Sequence, residues 1–124
     1  MLKVKQLTVS LENQPGRLAV VAKVLADAKV NIEAVLAGTA GAQGSVHLVV
    51  DNVARAKKAL SGAQFAYTEE MLDRVELPNK AGVLADFAAK LAKNGINIDT
   101  AYGTVLKSAR KSVLLLATSK PVRG

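Results

Sequence analysis

The sequence has no cysteine and a single histidine, His47, in 124 residues. Without cysteine there is no disulfide framework, no thiolate nucleophile and no sulfur-ligated metal. One imidazole cannot build a multi-histidine metal site. Aromatic residues are scarce too, only Phe65, Tyr67, Phe87 and Tyr102. No apolar stretch approaches the ~18–20 residues that a membrane span needs. The basic Met1–Lys5 is not followed by the apolar region of a secretory signal. What remains is ordinary globular material: half of the residues are hydrophobic, 22% are charged, and there are nine glycines and three prolines. The expectation is a soluble cytoplasmic protein with no membrane partner.

Seventeen Lys and Arg against ten Asp and Glu leave a net charge of +7. Such an excess can steer a chain toward anions or nucleic acid. The cations are scattered, however, and the one dense cluster is Lys107, Arg110 and Lys111 at a predicted hairpin tip. Binders of single-stranded nucleic acid stack bases on aromatic platforms, which this chain lacks. The charge therefore reads as solvated surface, and nucleic acid is not an expected partner.

An internal repeat organises the chain. Shifted by 66 residues, Leu11–Leu36 falls without a gap on Leu77–Tyr102, and ten of the 26 aligned positions are identical. At the same offset Ser45–Asp51 falls on Lys111–Ala117, which sets Val113 in the place of His47. Two copies of one unit of about sixty residues follow.

Each copy reads alike. Lys3–Leu11 alternates, with Leu7, Val9 and Leu11 on one face and Gln6, Thr8 and Ser10 on the other, which predicts a half-buried strand. A turn with Pro15 and Gly16 follows. Leu18, Val21, Ala22 and Leu25 then recur at helical spacing, as do Leu84, Phe87, Ala88 and Leu91, and Asn94-Gly95 closes the second of these helices. Strands are predicted at Val30–Gly38 and Ser45–Val50, joined through Gly41 and Gly44, and again at Ile96–Val105 and Ser112–Ala117. Asp51-Asn52 caps a short helix, Val53–Leu60, and Gln64–Thr68 reads as a fourth strand. The first copy, residues 1–68, is βαββαβ, an α+β ferredoxin-like arrangement with antiparallel strands and helices on one face. The second, residues 69–124, reads as a truncated βαββ. Its missing helix and strand predict an uncovered sheet face and strand edge, and hence docking on the first copy or on another chain. A homodimer or larger homo-oligomer is expected.

Catalysis finds no support in the residues. No nucleophile, base and orienting group fall together, and His47 sits mid-strand, where packing or surface roles are the ordinary ones. Glu69-Glu70 reads as a solvated stretch between the copies. No catalytic residue, metal site or cofactor is expected.

The repeated turn residues carry more information. Asn13 and Gly16 lie between the first strand and the helix, and Asn31 opens the second strand; Asn79, Gly82 and Asn97 repeat them. The two asparagines of one copy lie at opposite ends of its helix, so a shared ligand needs two copies or two chains side by side. Primary amides suit a zwitterion because they donate and accept. The N–H groups of a helix N-terminus favour a carboxylate, and glycine lets main chain approach a ligand. From spacing alone the structural reading stands ahead: asparagine and glycine favour turns for backbone reasons, and Asn13 or Asn79 can cap a helix.

Leu11-Glu-Asn-Gln-Pro-Gly-Arg-Leu, a helix, then Val30-Asn-Ile-Glu-Ala resembles the ACT domain, a βαββαβ regulatory module of amino-acid metabolism. Leu77-Pro-Asn-Lys-Ala-Gly-Val-Leu with Gly95-Ile-Asn-Ile-Asp matches it again, so the chain is similar to small stand-alone proteins of two tandem ACT domains. The motif is similar to the serine-sensing domain of phosphoglycerate dehydrogenase. That resemblance implies a small amino acid held at an interface between ACT units, by Asn13 or Asn79 from one side and Asn31 or Asn97 from the other. Pro15, Gly16, Arg17 and Leu18, with Gly82, Val83 and Leu84 in the second copy, would complete the pockets. Leu11 and Leu77 stand where the serine-sensing domain has histidine, which implies a less polar ligand. Ala81 replaces the proline of the motif, which favours the first copy's turn. The implied function is non-enzymatic regulation, in which an amino acid alters association between subunits or with a partner. A ligand-free interaction module, such as a regulatory subunit of an amino-acid biosynthetic enzyme, is the alternative. An RNA binder, which shares the βαββαβ order, is a distant one.

Overall fold

The computed structural model describes residues 2–104 and 109–119. The elements run β1 (Leu2–Glu12), α1 (Arg17–Asp27), β2 (Ile32–Ala40), β3 (Gln43–Val50), α2 (Val53–Gly62), β4 (Tyr67–Pro78), α3 (Val83–Lys93), β5 (Ile98–Thr104) and β6 (Lys111–Thr118). Two compact units divide the chain: Lys5–Glu70, and Met71–Gly124 together with Met1–Val4. Val105, Lys107 and the segment after Ser119 lie outside the described residues.

The first unit has the βαββαβ order, with its strands side by side as β2-β3-β1-β4. β1 and β2 both pair antiparallel with β3, so that His47 lies between Thr8 and Leu36. The alternation of β1 holds on its apolar face, although Gln6 on the other face is also buried: Leu7, Val9 and Leu11 are buried with Val46, Leu48 and Val50 beneath Val21 and Leu25 of α1 and Ala56 and Leu60 of α2. Full burial of each Leu or Val side chain stabilises by about 1.5–3 kcal/mol relative to exposure. Asn52 caps α2 by accepting from the Arg55 amide at 3.0 Å, which satisfies one of the free N–H groups of the first turn.

The second unit places its strands as β1-β4-β6-β5. Its core is smaller, with Val75, Leu91 and Leu116 buried and Leu77, Phe87, Ile96, Ile98 and Leu114 packed against them. α3 is its helix among the described residues. The strand edge expected to be uncovered is not bare. Residues 2–4 belong to this unit, and Lys3 pairs with Asp73 at 2.5 Å. They stand beside β4 where β4 itself stands beside β1 in the first unit. Asp73 is only 3% exposed and is the repeat mate of Leu7, so an ion pair replaces an apolar contact there.

Three other expectations change. Leu11 lies opposite Gly44, whereas Leu77 lies opposite Ser112, so the repeat spacing is 66 before the hairpin and 68 after it. Leu115, not Val113, therefore corresponds to His47. The fourth strand begins at Tyr67 and runs through Glu69 and Glu70, which are strand residues with side-chain partners rather than a connection between the copies. Glu69 meets Lys57 at 2.9 Å and Lys5 at 3.5 Å. Leu18 and Leu84 open their helical stripes on the outside, 46% and 57% exposed, while Val21, Leu25 and Leu91 face inward.

Candidate ligand-binding turns

The first turn is built from Asn13 to Arg17. Gly16 is the residue before α1 and takes φ +85°; Gly82 does the same before α3 at φ +87°. A side chain there meets no atom within 4 Å, so the glycines serve the left-handed backbone rather than a close approach. Neither asparagine caps its helix. Asn13 instead clasps the β2–β3 hairpin: its amide N–H donates to the Ala42 carbonyl and its Nδ2 to the Gly41 carbonyl, both at 2.9 Å. Asn79 clasps the other hairpin through Arg110 and Ala109, both at 2.8 Å. With the Nδ2 group engaged, each amide presents its Oδ1 as an acceptor.

Asn31 and Asn97 lie at the other ends of α1 and α3, across roughly 16 Å of helix at 1.5 Å per residue. The Asn31 amide donates to Asp51 Oδ1 at 2.9 Å. The Asn97 amide donates to Ser119 Oγ at 2.9 Å, and Asn97 Nδ2 donates to Asp99 Oδ1 at 2.8 Å. Neither joins the turn asparagine of its own unit. Pro15 is exposed in its turn, and the Arg17 guanidinium stacks over Phe65 with its centre 5.6 Å from the ring centroid, a cation–π contact.

The second unit carries a groove of about 210 Å³ at its turn. Leu77, Asn79 and Lys80 form one wall, Val83 and Leu84 of α3 another, and Thr104, Ser112 and Val113 a third. Three of the expected residues, Asn79, Val83 and Leu84, thus come together. Lys80, Thr104 and Ser112 were not among them. The repeat does not mark these three, because Gln14, Gly38 and Gly44 hold the matching places in the first copy. Ser112 Oγ donates to the Leu77 carbonyl at 3.3 Å.

A polar cluster lies elsewhere in the first unit. Glu70 Oε1 accepts from Gln6 Nε2 at 2.9 Å and from the Thr8 hydroxyl; Glu70 Oε2 accepts from Thr68 at 2.7 Å. Burial pushes the Glu70 carboxyl up, but hydrogen bonds from Thr8, Gln6 and Thr68, with the field of His47, outweigh it and hold its pKa below the usual value. His47 Nδ1 is 2.9 Å from Thr8 Oγ1. The single Thr8 proton goes to Glu70, so His47 is the donor in that pair. This is the reverse of a base poised to take a hydroxyl proton. Among the described residues no group of three His, Asp or Glu could hold a metal, and no helix is long and apolar enough to cross a membrane.

The comparisons with known proteins bear on the fold. The family model of the AHAS small subunit-like ACT domain matches residues 7–64. A protein of known structure from Bacteroides thetaiotaomicron is 28% identical, with a TM-score of 0.89 over 95% of this chain and 81% of its own. The regulatory subunit of aspartate kinase from Thermus thermophilus, in its ligand-free form, shares the fold at 20% identity and a TM-score of 0.65, covering 92% of this chain and 82% of that one. The same subunit from Thermus flavus does so at 18% identity and 0.65, covering 94% and 83%. No curated protein sequence matches. Residues 7–64, which carry most of the first unit's βαββαβ order, thus resemble the AHAS small subunit-like ACT domain.

Proposed function

We propose that the chain is a non-enzymatic regulatory protein that binds a small free amino acid at a strand–helix turn, where an ACT unit of a second chain completes the site. Ligand binding changes the association of the protein with its own copies or with a biosynthetic enzyme. The groove beside Asn79 carries this reading. Asn79 Oδ1 accepts from an ammonium group, the first N–H groups of α3 attract a carboxylate, and Val83 and Leu84 offer apolar contact to a short side chain. Asn13 and Gly16 repeat the asparagine clasp and the backbone path at the first turn, and Asn31 or Asn97 of the second chain reaches the ligand from outside. Regulatory subunits of aspartate kinase share the fold, which supports a regulatory role beside an enzyme. The exposed Val35 and Leu36 on β2, 53% and 36% accessible, support assembly into a homodimer, since edge strands that face water usually carry charge.

The test is a thermal-shift screen against the twenty amino acids. One of them at about 100 times its dissociation constant should add about 2.7 kcal/mol of apparent stability. A flat screen with a folded dimer would replace this reading by the ligand-free interaction module, which the same exposed apolar residues favour.

A further inference from the structure

Lys80 has no acidic partner among the described residues and lines the groove of the second unit. Its repeat mate in the first unit is Gln14, which carries no charge. Val83 and Leu84 face the groove from the first turn of α3; the repeat mate of Leu84 is Leu18, but that of Val83 is Arg17, held over Phe65. Phe65 belongs to the segment leading into β4, for which the described residues of the second unit have no counterpart. The hairpins differ in chemistry as well. Thr104 and Ser112 put hydroxyl groups on the groove wall, whereas Gly38 and Gly44 stand at those places in the first unit. The two turns share their backbone path and their asparagine clasp, but not the groups a ligand would meet.

We infer that the turns have diverged in role: the second is the ligand site, with Lys80 as its carboxylate-binding residue, and the first is a structural joint held by Arg17 on Phe65. This rests on the proposed amino-acid binding. The Lys80 ammonium is a compact positive charge on a flexible stem, able to meet a small carboxylate at the mouth of the groove as a point charge. The α3 N-terminus adds to the same field. At the first turn a long cation already lies against an aromatic ring, which favours holding the start of α1 against the α2–β4 connection over receiving a solute.

Titration calorimetry of the full chain with L-serine, L-alanine, L-valine and L-aspartate tests it. The expected result is one ligand per chain for at least one of the four. Lys80→Gln, which installs the residue of the first turn, should weaken that binding about tenfold or more with an unchanged melting temperature. Lys80→Arg should retain most of the affinity, and Gln14→Ala should leave it unaltered. Two equivalent ligands per chain, or a Lys80→Gln variant that binds as well as the parent, would overturn the inequality of the turns and leave amino-acid binding standing. No heat with any of the four, together with a flat thermal screen, would overturn both.

Discussion

The Asn13 side chain holds the carbonyl of Gly41 at 2.9 Å, and through it the tip of the β2–β3 hairpin is tied to the turn that starts α1. The second unit repeats the tie between Asn79 and Ala109. An asparagine that looks like a ligand residue in the sequence is therefore also a fastening. Asn13→Ala should cost about 1 kcal/mol of stability, the usual net worth of one hydrogen bond. Urea unfolding of the variant measures it; no change in the midpoint would show the tie to be energetically idle.

Lys29 and Gly95 are repeat mates that follow α1 and α3 with φ of 60° and 70°. A lysine in that left-handed region carries a steric cost that glycine does not. Lys29→Gly should raise the stability of the first unit by about 0.5–1 kcal/mol, and Gly95→Ala should lower that of the second by a similar amount. Thermal unfolding of both variants decides the matter, and shifts of the same sign would contradict it.

Asp73 is buried, whereas its partner Lys3 keeps half of its side chain in water. The two ends of this pair should therefore respond differently. Lys3→Met strands a buried carboxylate and should destabilise by about 1–3 kcal/mol. Asp73→Leu restores the residue type of Leu7, leaves only a solvated lysine, and should be neutral or stabilising. Chemical denaturation of the two single variants gives the comparison.

Glu70 has a carboxyl group that is more acidic in the fold than in the unfolded chain, whose usual value is 4.5. Its contribution is present above that value and is lost as pH falls through the lower folded pKa. Glu70→Gln should reduce stability at pH 7 and flatten the loss of stability below about pH 4.5. Urea midpoints at pH 7 and pH 3 for parent and variant measure this, and parallel declines would refute it.

Much of the fold was legible because it is local. The alternation of Leu7, Val9 and Leu11 against Gln6, Thr8 and Ser10 needs only neighbours in sequence, and so does the cap of α2 at Asn52. The slip of two residues between β3 and β6 was invisible for a definite reason. A shift of two keeps every side chain on the same face of a strand, so Val113 and Leu115 satisfy the pattern equally well. Leu18 and Leu84 misled in a similar way: helical spacing identifies a stripe, but it does not say where the core beneath the stripe ends.

The candidate site divides along the same line. Asn13, Gly16, Asn79 and Gly82 stood out because the chain repeats them, while Lys80, Thr104 and Ser112 were passed over because it does not.

The order of residues alone determined that the chain repeats a βαββ unit and that each copy holds helical stripes and alternating strands, since these depend on spacing within one element. Only tertiary structure decided that residues 2–4 complete the second unit, that Glu69 and Glu70 lie in a strand with partners, and that the turn asparagines grip hairpins some thirty positions further along the chain. Those outcomes depend on strand pairing and hydrogen bonds between distant segments, and no local pattern of residues records which distant group will satisfy a given donor.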